Sequence, residues 1–298
     1  MSGDAARAAA NPVGVHALVW VAGWSEPEAR HAIARTREAG FDLIEIPLLD
    51  PSSVDAAMTR RLLEETGVAA TCSLGLPFDA DVSSADAAVV ARGEALLTEA
   101  VDVTAALDAR FLGGVVYSAM GKHLAAPTER GRRHAIETLR RVSERAAHRE
   151  VTIGIEAVNR YESNLVNTAE QALALVDEIG AENVVVHLDS YHMNIEESDL
   201  GTPVHRCGAR LGYVHVGESD RGYLGRGTVD FAALFQALAD TGYAGPIVFE
   251  SFSSVVVSPS FVSALAIWRD PWHDGLDVAR SARAFLEVHL AAATAGRR

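Results

Sequence analysis

With 298 residues, 49% of them hydrophobic, the chain has the material for one large core of the size α/β barrels commonly reach. Its formal net charge of −14 opposes binding to a polyanion, which needs a basic face, and no apolar run approaches the roughly 20 residues of a membrane span. Two cysteines, Cys72 and Cys207, are too few for a disulfide framework or a thiolate metal site and read as ordinary buried or half-buried thiols.

Residues 1–13 contain no apolar signal-peptide core, so a disordered tail and a cytoplasmic location are expected. GVHALVWV (14–21) then reads as a first buried strand. Ser25 caps a helix with an acidic first turn that runs to Gly40. FDLIEI (41–46) is a second strand, Ser52 or Ser53 caps a helix ending near Gly67, and VAATCSL (68–74) is a third strand. After a polar loop over 77–83, Ser84 opens a long helix to Leu107, and RFLGGVVY (110–117) is a fourth strand. Thr128 begins a helix to Arg149. Four more strands end in VTIGIE, NVVVHLD, LGYVHVGE and PIVFE, with helices expected near 168–180, 198–208, 229–241 and 275–293.

Strict strand–helix alternation with short connections implies a parallel sheet with right-handed crossovers. Eight units favour a closed barrel over an open sheet, and no Gly-rich phosphate turn follows the first strand. The expectation is a single (β/α)8 TIM barrel over residues 14–298.

In such a barrel the C-terminal strand ends meet at one face, where active sites sit. The last four strands each deliver a metal-ligand type there: Glu156, Asp189, His215 and Glu250. Alone, a strand-end acid caps a helix or is solvated, and a strand histidine is a core residue. Four in equivalent positions of consecutive units point to a metal site of mainly oxygen donors, suited to Mn²⁺ or Mg²⁺. The register turns Ile155, Leu188, Val214 and Phe249 outward to the helices. Polar loops at the same rim add Asn159, Glu162, His192, Asn194, Glu196, Glu197, Glu218 and Arg221. Of these, His192 and Arg221 are best placed to donate to a polyol. His187, one layer below the metal level, reads either as support for the metal site or, the preferred reading, as a hydrogen-bonded core residue. His16, Trp24, Glu45, Ser73 and Tyr117 lie at the same rim on the first strands, Trp24 serving either as an apolar wall for a sugar or as structural cover.

The runs IEAVNRYESNLVNT, HLDSYHMNIEESD, YVHVGESDRGYLGRGTVDF and VFESFSS, with IWRD near the end, resemble the ketose 3-epimerases. That family comprises the D-tagatose, D-allulose and L-ribulose 3-epimerases, and the likeness extends over nearly the whole chain from Gly14. The resemblance implies a divalent ion (Mn²⁺, Mg²⁺ or Co²⁺) held by Glu156, Asp189, His215 and Glu250, with Glu156 and Glu250 as the acid/base pair. It implies that Glu162, His192 and Arg221 hold the substrate's carbonyl end; His16, Trp24 and Ser73, at the rim of the first strands, are the further candidates for substrate contact. It also implies a homodimer or homotetramer. Three departures bear on substrate preference: His16 where many members have an aromatic residue, Asp220 where Asn or His is common, and Leu224 where some have Pro. The alternative on the same ligands is an aldose–ketose isomerase.

Overall fold

The computed structural model describes residues 11–295, with side chains to Ala293. Residues 1–10 of the expected tail lie outside the described residues. Residues 11–13 are part of the fold: the Asn11 side chain donates to the Tyr243 and Gly245 carbonyls, and Val13 opens the first strand.

Eight parallel strands close on themselves in sequence order: β1 (Val13–His16), β2 (Leu43–Pro47), β3 (Ala69–Ser73), β4 (Phe111–Gly113), β5 (Thr152–Ala157), β6 (Val184–Asp189), β7 (Leu211–Val216) and β8 (Ile247–Phe249). The outer layer holds α1 (Glu26–Glu38), α2 (Ala56–Thr66), α3 (Ala87–Ala106), α4 (Glu129–His148), α5 (Ala169–Ile179), α6 (Ser190–Glu196), α7 (Gly201–Cys207), α8 (Phe231–Asp240), α9 (Pro259–Ala264) and α10 (Gly275–Ala295). Caps explain where the helices begin. Ser25 forms a capping box with Glu28, and Asp55 and Asp86, rather than the serines expected upstream, accept from the first-turn amides of α2 and α3.

Two expected strands are shorter than their apolar runs. β1 stops at His16, whose ring accepts from the Leu18 amide and starts a 3₁₀ turn over Ala17–Val19. β4 stops at Gly113 because Gly114 takes φ +105°, a conformation only glycine adopts without strain. Burial alone cannot separate a strand from an equally buried turn, and that is why both runs read long. The loop expected after Asp189 is instead α6, capped by the Asp189 carboxylate itself.

Side chains alternate through the barrel wall. Outward-facing Ile155, Leu188, Val214 and Phe249 join the main core beneath the helices, as the register required. Inward-facing Leu43, Phe111, Tyr213 and Val248, with Val185 against them, form a separate apolar plug at the barrel floor. The Phe111 and Tyr213 rings stack with centroids 4.0 Å apart. Glycine makes the room for them: a Cβ at Gly154 would lie 2.3 Å from the Phe111 ring.

Candidate functional site

Above that plug the next inward positions are polar. Glu156 at the end of β5, Asp189 closing β6, His215 in β7 and Glu250 directly after β8 are each at most 7% exposed. Asp189 and His215 are register partners across β6 and β7. Around His215 Nδ1 stand Glu156 Oε1 at 3.4 Å, Glu250 Oε1 at 3.7 Å and Asp189 Oδ2 at 3.9 Å. This nitrogen is buried and has no hydrogen-bond partner. A buried imidazole nitrogen is normally satisfied. Here it is aimed instead into a ring of three carboxylates, one nitrogen and three oxygens suited to a hard divalent cation. Asp189, His215 and Glu250, and separately Glu156, Asp189 and His192, offer atoms close enough to share one ion.

The opposite face of the His215 ring edge is fully used. Nε2 donates to Glu45 Oε2 at 2.7 Å, and the Tyr213 hydroxyl donates to the same oxygen at 2.7 Å. The Tyr213 oxygen also lies 2.6 Å from Thr71 Oγ1.

Arg221 completes the charge balance. Its Nη1 lies 2.9 Å from Asp189 Oδ2 and 2.7 Å from Glu250 Oε2, and its guanidinium sits 3.9 Å over the Tyr191 ring. The residue has φ +58°, a left-handed conformation costing about 1–3 kcal/mol for a residue other than glycine. Both its peptide groups are tied down: the amide donates to the Glu218 carbonyl, and the carbonyl accepts from the Ser251 hydroxyl.

The buried charges push one another apart in acidity. Burial raises Glu156, but His187, His215 and His192 around it outweigh burial and hold the carboxyl down at about 2. Burial likewise raises Asp189, and the Arg221 guanidinium with His192 and His215 holds it well below the usual range. For Glu250 burial wins: although Arg221 and His215 pull it down, the charges of Asp189 and Glu156 add to burial and keep its carboxyl well above an ordinary glutamate. Without an ion, Glu156 is therefore the stronger acid of the two and Glu250 the weaker. Two carboxyls set apart this way suit an acid and a base.

His16, Ser73, Glu162, His192 and Arg221 line one cavity with Glu156, His215 and Glu250; its free space, open mouth included, is about 560 Å³. Burial lowers His16 to about 4, so it is neutral. Its Nδ1 accepts from the Leu18 amide, leaving Nε2–H 3.3 Å from Ser73 Oγ. His192 Nδ1 accepts the Asn159 amide at 3.1 Å, which turns Nε2 toward Glu156 and Asp189 at 3.9 and 3.8 Å. Asn159 also donates to Glu162 at 2.8 Å, so one loop residue fixes both neighbours. Leu18, Val158, Phe252, Phe261 and Leu265 supply the apolar walls.

Some expectations need correction. Trp24 is not on this cavity: its indole N–H donates to Thr59 Oγ1 at 3.0 Å and its ring belongs to the core between α1 and α2. His187 is buried beneath the site as expected, but neither nitrogen has a hydrogen-bond partner; edge contacts to the Tyr213 and His215 rings hold it. Tyr117 is fully buried and donates to the Glu156 and Val166 carbonyls. Asn194, Glu196 and Glu197 tie loops together through Thr228, Arg160 and the Ala169 amide. Glu218 is completely buried and accepts from the Ser219, Gly225 and Val229 amides, so it organises the loop that carries Arg221. Its signal was an acid within a Gly-rich loop, which reads equally well as solvated.

Comparison with known proteins agrees in scale with this geometry. The family described as xylose isomerase-like TIM barrel matches residues 33–282. The chain is 48% identical to an L-ribulose 3-epimerase of Methylomonas sp. (strain DH-1), over 92% of this chain and 96% of that protein. It is also 48% identical to a ketose 3-epimerase of Arthrobacter globiformis, over 94% of this chain and 97% of that protein. Among solved structures, the D-allulose 3-epimerase from Methylomonas sp. in complex with D-allulose superposes with a TM-score of 0.93 at 47% identity, covering 94% of this chain and 98% of that one.

Proposed function

We propose, from the premise that the chain belongs to the ketose 3-epimerases of the xylose isomerase-like TIM-barrel family, that it is an isomerase inverting carbon 3 of a free ketose. The observation that carries this reading is the pair of carboxyls, Glu156 and Glu250, whose Oε1 atoms lie 3.4 and 3.7 Å from the unpartnered His215 Nδ1.

Inversion beside a carbonyl removes a proton from one face of carbon 3 and returns one to the other through a cis-enediolate. In this reading the ionised Glu156 carboxylate takes the proton in one direction while Glu250 delivers its own from the opposite face; the roles exchange in reverse. Glu156, Asp189, His215 and Glu250 would hold a divalent ion, Mn²⁺ in our reading, which would supply electrophilic stabilisation of the negative charge that develops on the substrate. Arg221, His192 Nε2 and Glu162 hold the carbonyl end, and His16 Nε2–H with Ser73 holds the distal hydroxyls. The Phe252, Phe261 and Leu265 wall keeps water from protonating the carbanion at random. Proton transfer by a positioned group contributes roughly 10²–10⁴-fold, so electrostatic stabilisation carries much of the rest.

The same reading includes a homodimer or homotetramer and a cytoplasmic location. Leu49, Phe78, Leu124, Tyr161 and Trp268, all exposed on segments that follow strand ends at the barrel mouth, support a second copy packing there. Both cysteines are free and buried, which suits a reducing compartment.

The test is solvent exchange. Metal-stripped protein is incubated in D₂O with D-fructose, D-tagatose or L-ribulose, with and without Mn²⁺, and followed by NMR. Metal-dependent deuterium at carbon 3, with the epimer appearing, is expected. Deuterium at carbon 1 or 2 with an aldose product would replace this reading by an aldose–ketose isomerase.

A further inference from the structure

We infer that Glu45 is a positioning residue that acts through His215, fixing which imidazole nitrogen faces the metal-type donor ring. This rests on the metal reading above.

The strand β2 is apolar except at this one position, and Glu45 is only 1% exposed. A buried carboxylate is costly unless its partners repay the desolvation. Its partners are specific. Oε2 accepts from His215 Nε2 and from the Tyr213 hydroxyl, each at 2.7 Å. Oε1 has no hydrogen-bond partner and lies 3.6 Å from His16 Nε2.

An imidazole can present either nitrogen, and only the one without a proton can donate its lone pair to a cation. A carboxylate beside Nε2 accepts a proton there and cannot donate one. Glu45 therefore keeps Nε2 in its N–H form, and Nδ1 is the nitrogen left to face Glu156, Asp189 and Glu250. It also prevents a ring flip, because a flipped ring would take the N–H away from the carboxylate and leave a buried anion unpaired. Tyr213 holds the carboxylate in turn: its ring is clamped by Phe111 and its oxygen lies beside Thr71. The negative charge placed behind the ring makes the imidazole a stronger donor, as carboxylates behind metal-binding histidines generally do.

The experiment measures Mn²⁺ affinity of the stripped protein by calorimetry and by EPR of free ion, independently of turnover. Glu45→Leu is expected to weaken binding roughly 10–100-fold, the range seen when such partners are removed. Glu45→Gln keeps an acceptor but loses the charge, and is expected to weaken binding less. Because Glu45 acts through the imidazole, either change made in a His215→Gln background is expected to cost less than about threefold, a coupling that a merely structural role does not produce. Where Glu45→Leu fails to fold, the Glu45→Gln cycle decides alone. Equal cost in both backgrounds, or no cost in either, overturns the inference while leaving the epimerase reading in place. Failure of the unmutated protein to bind Mn²⁺ overturns the metal reading and this inference with it.

Discussion

Glu250→Gln separates catalysis from stability at a single atom. The change keeps the side-chain volume and an oxygen for Arg221 Nη1, but removes a group that can exchange a proton. On the proposed mechanism turnover falls by roughly 10²–10⁴-fold, about 2.7–5.4 kcal/mol of transition-state stabilisation. Stability of the stripped protein should not fall with it. Asp189 Oδ2 and Glu250 Oε2 both lie within 3 Å of Arg221 Nη1. They are therefore less than about 6 Å apart, where two unit charges repel by about 3 kcal/mol at an effective dielectric of about 20. Glu156, whose Oε1 lies 3.4 Å from the same His215 Nδ1 that Glu250 Oε1 approaches at 3.7 Å, adds a comparable repulsion. Attraction to Arg221 and His215 offsets these, and the several kcal/mol of desolvation then count against the ionised form. A raised pKa of this kind has a defined sign. Glu250 contributes stability that is fully present below its unfolded pKa of about 4.5 and is lost as pH rises through its higher folded value, at a slope of at most about 1.4 kcal/mol per pH unit. The groups facing it are Arg221, His215, His16, Asp189 and Glu156. The two acids whose folded values are depressed act in the opposite sense, their stabilisation being lost as pH falls below their unfolded values, 4.5 for Glu156 and 3.8 for Asp189. Urea titrations of stripped protein between pH 5 and 8 are therefore expected to show stripped Glu250→Gln at least as stable as the unmutated chain at pH 8, with a shallower decline. A loss of 3–5 kcal/mol at pH 8, the usual result of breaking a buried pair at one partner, would refute the reasoning. So would a variant that retains full activity.

Two further predictions follow from features around the site. Glu218→Ala leaves the Ser219, Gly225 and Val229 amides unpaired and loosens the loop carrying Arg221; each orphaned amide costs about 1–3 kcal/mol, and the expected kinetic signature is a raised KM with Mn²⁺ affinity changed less than by Glu45→Leu. Burial pushes the Cys72 and Cys207 thiols up to about 12; neither is expected to react with a disulfide reagent at pH 8 until the protein is unfolded, and rapid native-state labelling would contradict the burial.

The barrel and the four converging residues were legible because both rest on periodicity: eight alternating units set the topology, and a period of two set which side chains face inward. What was not legible depended on partners distant in sequence. Trp24 could wall a cavity or seal a core, and only the position of Thr59, on a different helix, decides between them. Glu45 announced itself as a charge inside FDLIEI, yet its role needed Tyr213 and His215, which lie 168 and 170 residues away. Element ends failed for a different reason. The runs 14–21 and 110–117 are buried throughout most of their length, and hydropathy does not register the 3₁₀ turn at Ala17 or the positive φ of Gly114.

Among the described residues, the stacked floor of Leu43, Phe111, Val185, Tyr213 and Val248 makes the barrel a vessel closed at the bottom. Sugar cannot pass through it, so the incoming ketose and the outgoing epimer must use the same opening in turn. Traffic is then single-file by construction: a departing molecule obstructs an arriving one, and each sugar competes with its own mirror at carbon 3. For a reversible reaction this means the enzyme slows as it nears equilibrium for two reasons at once, the vanishing driving force and a congested exit.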